Sequence, residues 1–287
     1  MDFSKTLFVP IISGLILLSV SPLQAGPLKR NLLISYSIGQ GVSVEKAEYL
    51  QAELSGALSI TGKAMILEGE KAKPAKEALQ KKSPEEARRN PAETIKAGAS
   101  TGAHLVARIN IEALGLEEEK EQPTAIARAA VTLDLYDTAA GTYLGTQHLD
   151  SRQQAKAAIV KYQELLQPGT AGYTKSPLGV VQAQVIKDAV SRIITAVDKV
   201  RWQGSVVEVI DGFVYGNVGR EAGIKAGDRF TVIKPGKELS DPATGIVLGI
   251  ADRQIATVRV IGVEDSYFIG SSSDVDKIER GYFLREE

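Results

Sequence analysis

The chain of 287 residues has no cysteine, two histidines, one tryptophan and only 6% aromatic residues. Without cysteine there is no disulfide framework, no thiolate metal site, no thiol nucleophile and no lipid-modified N-terminal Cys. Two histidines far apart in sequence, His104 and His148, leave zinc without a plausible ligand set. An excess of charge of either sign is also missing: 34 Lys+Arg stand against 35 Asp+Glu. That balance offers no electrostatic footprint for nucleic acid or an anionic lipid surface. No apolar run reaches the ~20 residues that a helix needs to cross a bilayer. There is no H-E-x-x-H and no G-x-x-x-x-G-K-[ST] loop. What remains is a globular composition, 44% hydrophobic and 24% charged, at a length that suits two domains.

The N-terminus carries the apolar run LFVPIISGLILLSV, Leu7 to Val20, with Lys5 ahead of it and Ser21, Pro22, Leu23, Gln24 and Ala25 behind. The run is too short to span a membrane, and the small Ala25 offers a cleavage point before Gly26, so residues 1–25 read as a secretory signal peptide. Pro10 and Gly14 within the run and Pro22 after it favour removal over an uncleaved anchor. The expectation is an exported protein, periplasmic or outer-membrane-associated, with no membrane-spanning segment in its mature chain.

In residues 26–200 the pattern is α/β. Asn31 to Ile38 is an apolar run before Gly39 and reads as a buried first strand; Val44, Ala47, Leu50, Leu54 and Leu58 then recur at helical spacing behind a capping Ser43. A second strand follows at Lys63 to Leu67. Residues 70–93 are dominated by Lys, Glu, Arg and Ala with three prolines and lack a sustained apolar stripe, so they read as an exposed charged excursion. Next come a helix at Pro91 to Ser100, a strand His104 to Ala113 and a strand Ala125 to Tyr136, joined through an acidic tip at Glu117 to Gln122. A hairpin turn at Asp137 to Gly141 leads to a strand Tyr143 to Leu149. Gln153 to Gln167 places Ala155, Ala158, Ile159, Tyr162, Leu165 and Leu166 on one helical face, and Ser176 to Val200 is a longer, more apolar helix with Pro177 at its start.

After Trp202 the helical period stops, and short β-branched runs separated by Gly, Pro and Asp turns predict a small all-β domain, 201–287, of barrel or sandwich type. The fold class expected is therefore a mixed-sheet α/β sandwich followed by a small barrel or SH3-like β-domain.

Few residues invite chemistry. His104 opens an apolar strand and His148 sits near the end of another, positions that suit structural or surface histidines better than a general base. Asp137 is explained by its turn and Asp134 by an outward strand position. Ser272, Asp274 and Asp276 alternate as in a calcium loop but lack the Gly and Glu that such a loop requires. No catalytic, metal or cofactor residues are assigned. Two interaction features remain: the helical face Ile159, Tyr162 and Leu166 as a partner contact, and the turn Gly223, Ile224, Gly227 and Asp228 in AGIKAGD. That turn is similar to the peptide-carboxylate turn of PDZ domains, although the hairpin at Asp241 to Gly245 stands where such a domain has a helix.

On LLISYSIG, GKAMILEGE, IKAGASTGAHLVARINI, the DLYDTAAGTYLG hairpin and the helix Val185 to Val200, the first domain resembles the envelope proteins related to the curli assembly component CsgG and the TolB N-terminal domain. GNVGREAGIKAGDRFTVI and DPATGIVLG resemble the C-terminal β-domain of flagellar assembly protein T. The resemblance implies a non-enzymatic protein supporting assembly or secretion at the bacterial outer membrane, with other envelope proteins or further copies of itself as partners. Peptide or ligand binding through the PDZ-like turn is the alternative.

Overall fold

The structure is a computed structural model that describes residues 28–118, 124–156, 167–240, 242 and 247–287. Its first part is a five-stranded mixed sheet ordered β2-β1-β3-β4-β5. Strand β1 (Arg30–Ile38) runs parallel to β2 (Ala64–Ile66) on one side and to β3 (Leu105–Glu118) on the other. From there β4 (Thr124–Asp137) and β5 (Thr142–Lys156) extend the sheet as antiparallel hairpins.

The connections explain the layers. Helix α1 (Val44–Ile60) carries the chain outward from β1 to β2 across one face. Three short helices, α2 (Lys73–Gln80), α3 (Pro84–Arg89) and α4 (Pro91–Ser100), bring it back over β1 to β3 across the other. An outward step on one face and a return on the opposite face have the same hand, as parallel crossovers require. Two helices complete the first layer, the short α5 (Ala171–Lys175) and the long α6 (Pro177–Val197). Ser176 caps α6 by accepting from the Gly179 N–H at 3.1 Å, whereas Ser43 makes no such side-chain bond at the start of α1. Leu178, Val181, Val185, Ala189, Ile193 and Val197 recur along α6 at helical spacing and pack with Leu50, Leu54 and Leu58 against Leu32, Ile34, Ile109, Val131 and Leu133 of the sheet. Burial of each Leu, Ile or Val side chain there contributes roughly 1.5–3 kcal/mol.

Residues 70–93 are not the exposed excursion that their composition suggests. Ala72, Ala75 and Leu79 are buried against Leu33, Val106 and Tyr136 on the second face of the sheet, and Ala87 of α3 is buried as well. Each of these helices is too short to show an apolar stripe, and small alanines supply most of the contact, so the charged outer face dominates the composition. Their reach along the sheet can be read from β4. Burial alternates from Thr124 to Ala129, where one face alone is covered, and becomes continuous from Ala129 to Asp137, where α2–α4 cover the other.

The second correction concerns Gln153 to Gln167. Gln153 to Lys156 is strand, the end of β5, paired with β4 through Lys156. Residues 157–166, with the proposed contact residues Ile159, Tyr162 and Leu166, lie outside the described residues.

Beyond α6 six strands close an antiparallel barrel: β6 (Gln203–Ile210), β7 (Phe213–Gly216), β8 (Arg229–Lys234), β11 (Arg253–Val263), β12 (Phe268–Ser271) and β13 (Phe283–Glu286). A small hairpin, β9 (Glu238–Ser240) and β10 (Val247–Ile250), lies between β8 and β11 in the chain. The barrel core is an aromatic ladder: Trp202 stacks on Phe230 at 4.9 Å between centroids, and Phe230 on Phe268 at 5.4 Å. Gly216 must be glycine for this ladder, because a Cβ there would stand 2.2 Å from the Phe268 ring. The fold is thus a mixed α/β sandwich followed by an all-β barrel.

Candidate functional site

The two parts meet at the end of the sheet where β1 and β3 begin, and His104 is the joint. Its Nδ1 accepts from the Asn31 N–H at 2.7 Å, which leaves Nε2–H to donate to the Gln203 carbonyl, also at 2.7 Å. The imidazole stacks on Trp202 with centroids 6.2 Å apart. Burial, with the Arg30 charge nearby adding to it, pushes the His104 pKa down to about 4, against the Gln203 hydrogen bond that raises it. A neutral imidazole with both nitrogens engaged is a strut between sheet and barrel and has no free lone pair for base catalysis. Arg30 reinforces the joint, donating to the carbonyls of Leu28 and Val200 and pairing with Glu286 at 3.0 Å.

Asp134 is not the outward strand residue that alternation suggests; it is 1% exposed, beneath α3. Arg88 donates its Nε–H to both carboxylate oxygens at 3.0 and 3.1 Å, and the hydroxyls of Tyr143 and Thr146 donate at 2.9 and 2.6 Å. Directly across on β3, Arg108 donates to the Leu79 and Lys82 carbonyls at the end of α2. Burial, with the Asp134 charge adding to it, pushes the neighbouring Tyr136 hydroxyl up to about 12. This cluster fastens α2 and α3 to the sheet. Asp137, by contrast, is the turn residue expected: its carboxylate accepts from the Ala140 N–H at 2.8 Å.

Along the strands from Asp134 towards Glu117 and Lys156, the second face of the sheet is polar. Ser37 donates to Asn110, and Thr132 joins Glu112 to His148, the hydroxyl donating to the carboxylate and lying 2.9 Å from Nδ1. The order here is carboxylate, hydroxyl, imidazole. A nucleophilic triad needs the imidazole in the middle, and Thr132 is fully buried. Further along the same face Asp150 binds Arg128 and Arg152, both at 2.9 Å, and Arg128 also reaches Glu117. The hydrogen bonds from Arg152 and then Arg128 hold the Asp150 carboxyl down to about 2, against partial burial. This row, with the outer edge of β5 beside it, is the surface that sequence reasoning missed. Its signal was the alternation of His148, Asp150, Arg152 and Gln154, hidden by helix-spaced apolar residues that begin at Ala155.

In the barrel, Gly223 takes a positive φ of 93° after a 3-10 turn, Arg220–Ala222, and Gly227 one of 96°. Ile224 is buried in the barrel core. The amides of this turn are committed from within: Gly223 N–H donates to Arg220 O, Ile224 N–H to Gly219 O, Lys225 N–H to the Asp228 carboxylate at 2.8 Å, and Gly227 N–H to Val260 O. The Asp228 carboxylate closes the turn from within, and every barrel strand is paired on both sides. Asp274 pairs with Lys277 at 2.6 Å, and its N–H donates to Ser272. Among the described residues no three His, Cys, Asp or Glu side chains cluster to hold a metal, and no helix is long and apolar enough to cross a membrane.

No protein family and no curated protein matches the chain by sequence. Solved structures similar to it include the hypothetical protein CT253 from Chlamydia trachomatis, at 16% identity and a TM-score of 0.44 over 59% of this chain and 98% of that one. Lipoprotein GNA1162 from Neisseria meningitidis is similar at 12% identity and a TM-score of 0.34, over 58% and 99%. The PelC dodecamer from Paraburkholderia phytofirmans is similar at 12% and 0.32, over 58% and 91%.

Proposed function

We propose that this is an exported, non-enzymatic accessory protein of the bacterial cell envelope, a scaffold for assembly or secretion of the kind that its resemblance to CsgG, TolB and flagellar assembly protein T implies. The observation that carries the reading is how the polar side chains are used. His104, Asp134, Asp137, His148, Asp228 and Asp274 each bind a neighbour within the chain. Among the described residues there remains a polar sheet face with a long strand edge, which suits contact with another protein. Export rests on the Leu7 to Val20 run and the Ala25 cleavage point.

The test is fractionation of the native cell followed by cross-linking in the intact envelope. A mature chain beginning at Gly26, recovered outside the cytoplasm and cross-linked to itself or to envelope proteins, is the expected result. A full-length cytoplasmic chain, or an exported chain recovered only as monomer, overturns the reading.

A further inference from the structure

The long edge of the sheet has a symmetry of its own. Strand β5 is the last strand, and among the described residues nothing pairs with its outer side. Edges of this length are usually protected by proline, a bulge or charged side chains; β5 carries charge, but as the complementary Asp150 and Arg152. The bulge in β5 lies near Gly145, at one end; from Thr146 to Lys156 the register with β4 is unbroken, and no proline interrupts it. The barrel meets the sheet beside His104, at the end where β3 and β5 begin, and the Lys156 end of β5 is the far one.

We propose that β5 pairs antiparallel with β5 of a second copy, about a two-fold axis through Ser151, joining two five-stranded sheets into one continuous sheet. Ser151 is the midpoint of the unbroken stretch, so this register pairs all of it, with Thr146 of one protomer opposite Lys156 of its partner. It also sets Asp150 opposite the partner's Arg152, and Arg152 opposite the partner's Asp150, on the same face. Opposite charges directly across a strand pair stabilise it, and like charges in that position destabilise it. Moving the axis by one residue either way sets Asp150 against Asp150 or Arg152 against Arg152, so charge selects the Ser151 register. Arg128 on β4 already holds Asp150 in an extended ion-pair row that the partner's Arg152 would continue. The interface is isologous, as a two-fold contact requires.

This deepens the scaffold reading by naming a second copy as the partner, and the test separates the two because it uses purified mature protein. The chain has no cysteine, so Ser151→Cys introduces a single thiol facing its own image. Directly opposed residues in an antiparallel pair have Cα atoms about 4.5–5.5 Å apart, within disulfide range. Gln147→Cys is the control, since its two copies would stand roughly 27 Å apart along the strands at about 3.4 Å per residue. The expected results are a dimer of the unaltered chain by sedimentation, a disulfide-linked dimer for Ser151→Cys and not for Gln147→Cys, and loss of the dimer in Arg152→Glu, which sets two acidic side chains against each other. A monomeric unaltered chain, or equal cross-linking of the two cysteine variants, overturns the proposal while leaving a scaffold for other envelope proteins in place.

Discussion

Replacing His104 with Gln should flatten the acid side of the stability curve. The imidazole is 2% exposed and its pKa is lowered from 6.5 to about 4, by burial first and by the Arg30 charge in addition. Between those two values the unfolded chain binds a proton that the folded chain refuses. The stability that the neutral imidazole supports is therefore fully present above pH 6.5 and falls as the pH drops towards 4. Over the whole window the difference amounts to about 3 kcal/mol, of which about 2 kcal/mol is lost between pH 7 and pH 5. Glutamine has a donor and an acceptor but does not titrate. His104→Gln should cost about 1–3 kcal/mol at pH 7 through poorer hydrogen bonds to Asn31 and Gln203, yet lose about 2 kcal/mol less than the unaltered protein on going from pH 7 to pH 5. Urea denaturation at several pH values measures both quantities. Carboxylates such as Asp137, whose pKa burial raises, titrate in both proteins and cancel in the comparison. Parallel stability curves for the two proteins between pH 7 and pH 5 would refute the assignment of His104 as a buried neutral strut.

Arg88→Ala removes the cation from a carboxylate that is 1% exposed and should destabilise the fold by about 3 kcal/mol, because Asp134 keeps only the hydroxyls of Tyr143 and Thr146. Hydrogen exchange should then accelerate first in α2 and α3, and uniform acceleration through α6 would contradict the role given to this pair. Gly216→Ala drives a methyl group into the Phe268 ring and should cost about 1–3 kcal/mol, read as a lower melting temperature together with a changed near-ultraviolet signal from Trp202. An unchanged melting temperature would show that the aromatic ladder can shift without loss.

Much of this architecture is written in local periodicity. The β-branched runs after Trp202, separated by glycine turns, are the six barrel strands, and the spacing of Val181, Val185, Ala189 and Ile193 is the buried face of α6. Asp137 could be assigned to its turn because an Asx side chain bonding a nearby amide is a local event. The sequence even held a hint that both faces of the sheet are covered: Leu32, Leu33 and Ile34 are consecutive and all buried, two facing α1 and α6 and one facing α2. What closes the second face was not legible, because helices of one or two turns packed through alanines show no long apolar period. Asp134 was misplaced for the same reason: alternation identifies the two faces of a strand but does not say whether a helix from elsewhere covers the polar one.

The amino-acid sequence by itself determined the opening β-α-β unit, the buried face of α6, the short strands after Trp202 and the lack of any thiol for chemistry, since each follows from residue type and short-range spacing. Only the tertiary structure decided that His104 joins sheet to barrel, that Arg88 reaches Asp134 across 46 positions, and that β5 runs on to Lys156 as the last strand of the sheet. Those outcomes depend on which distant segments meet, and on the charges and hydrogen-bonding groups that come to face one another when they do.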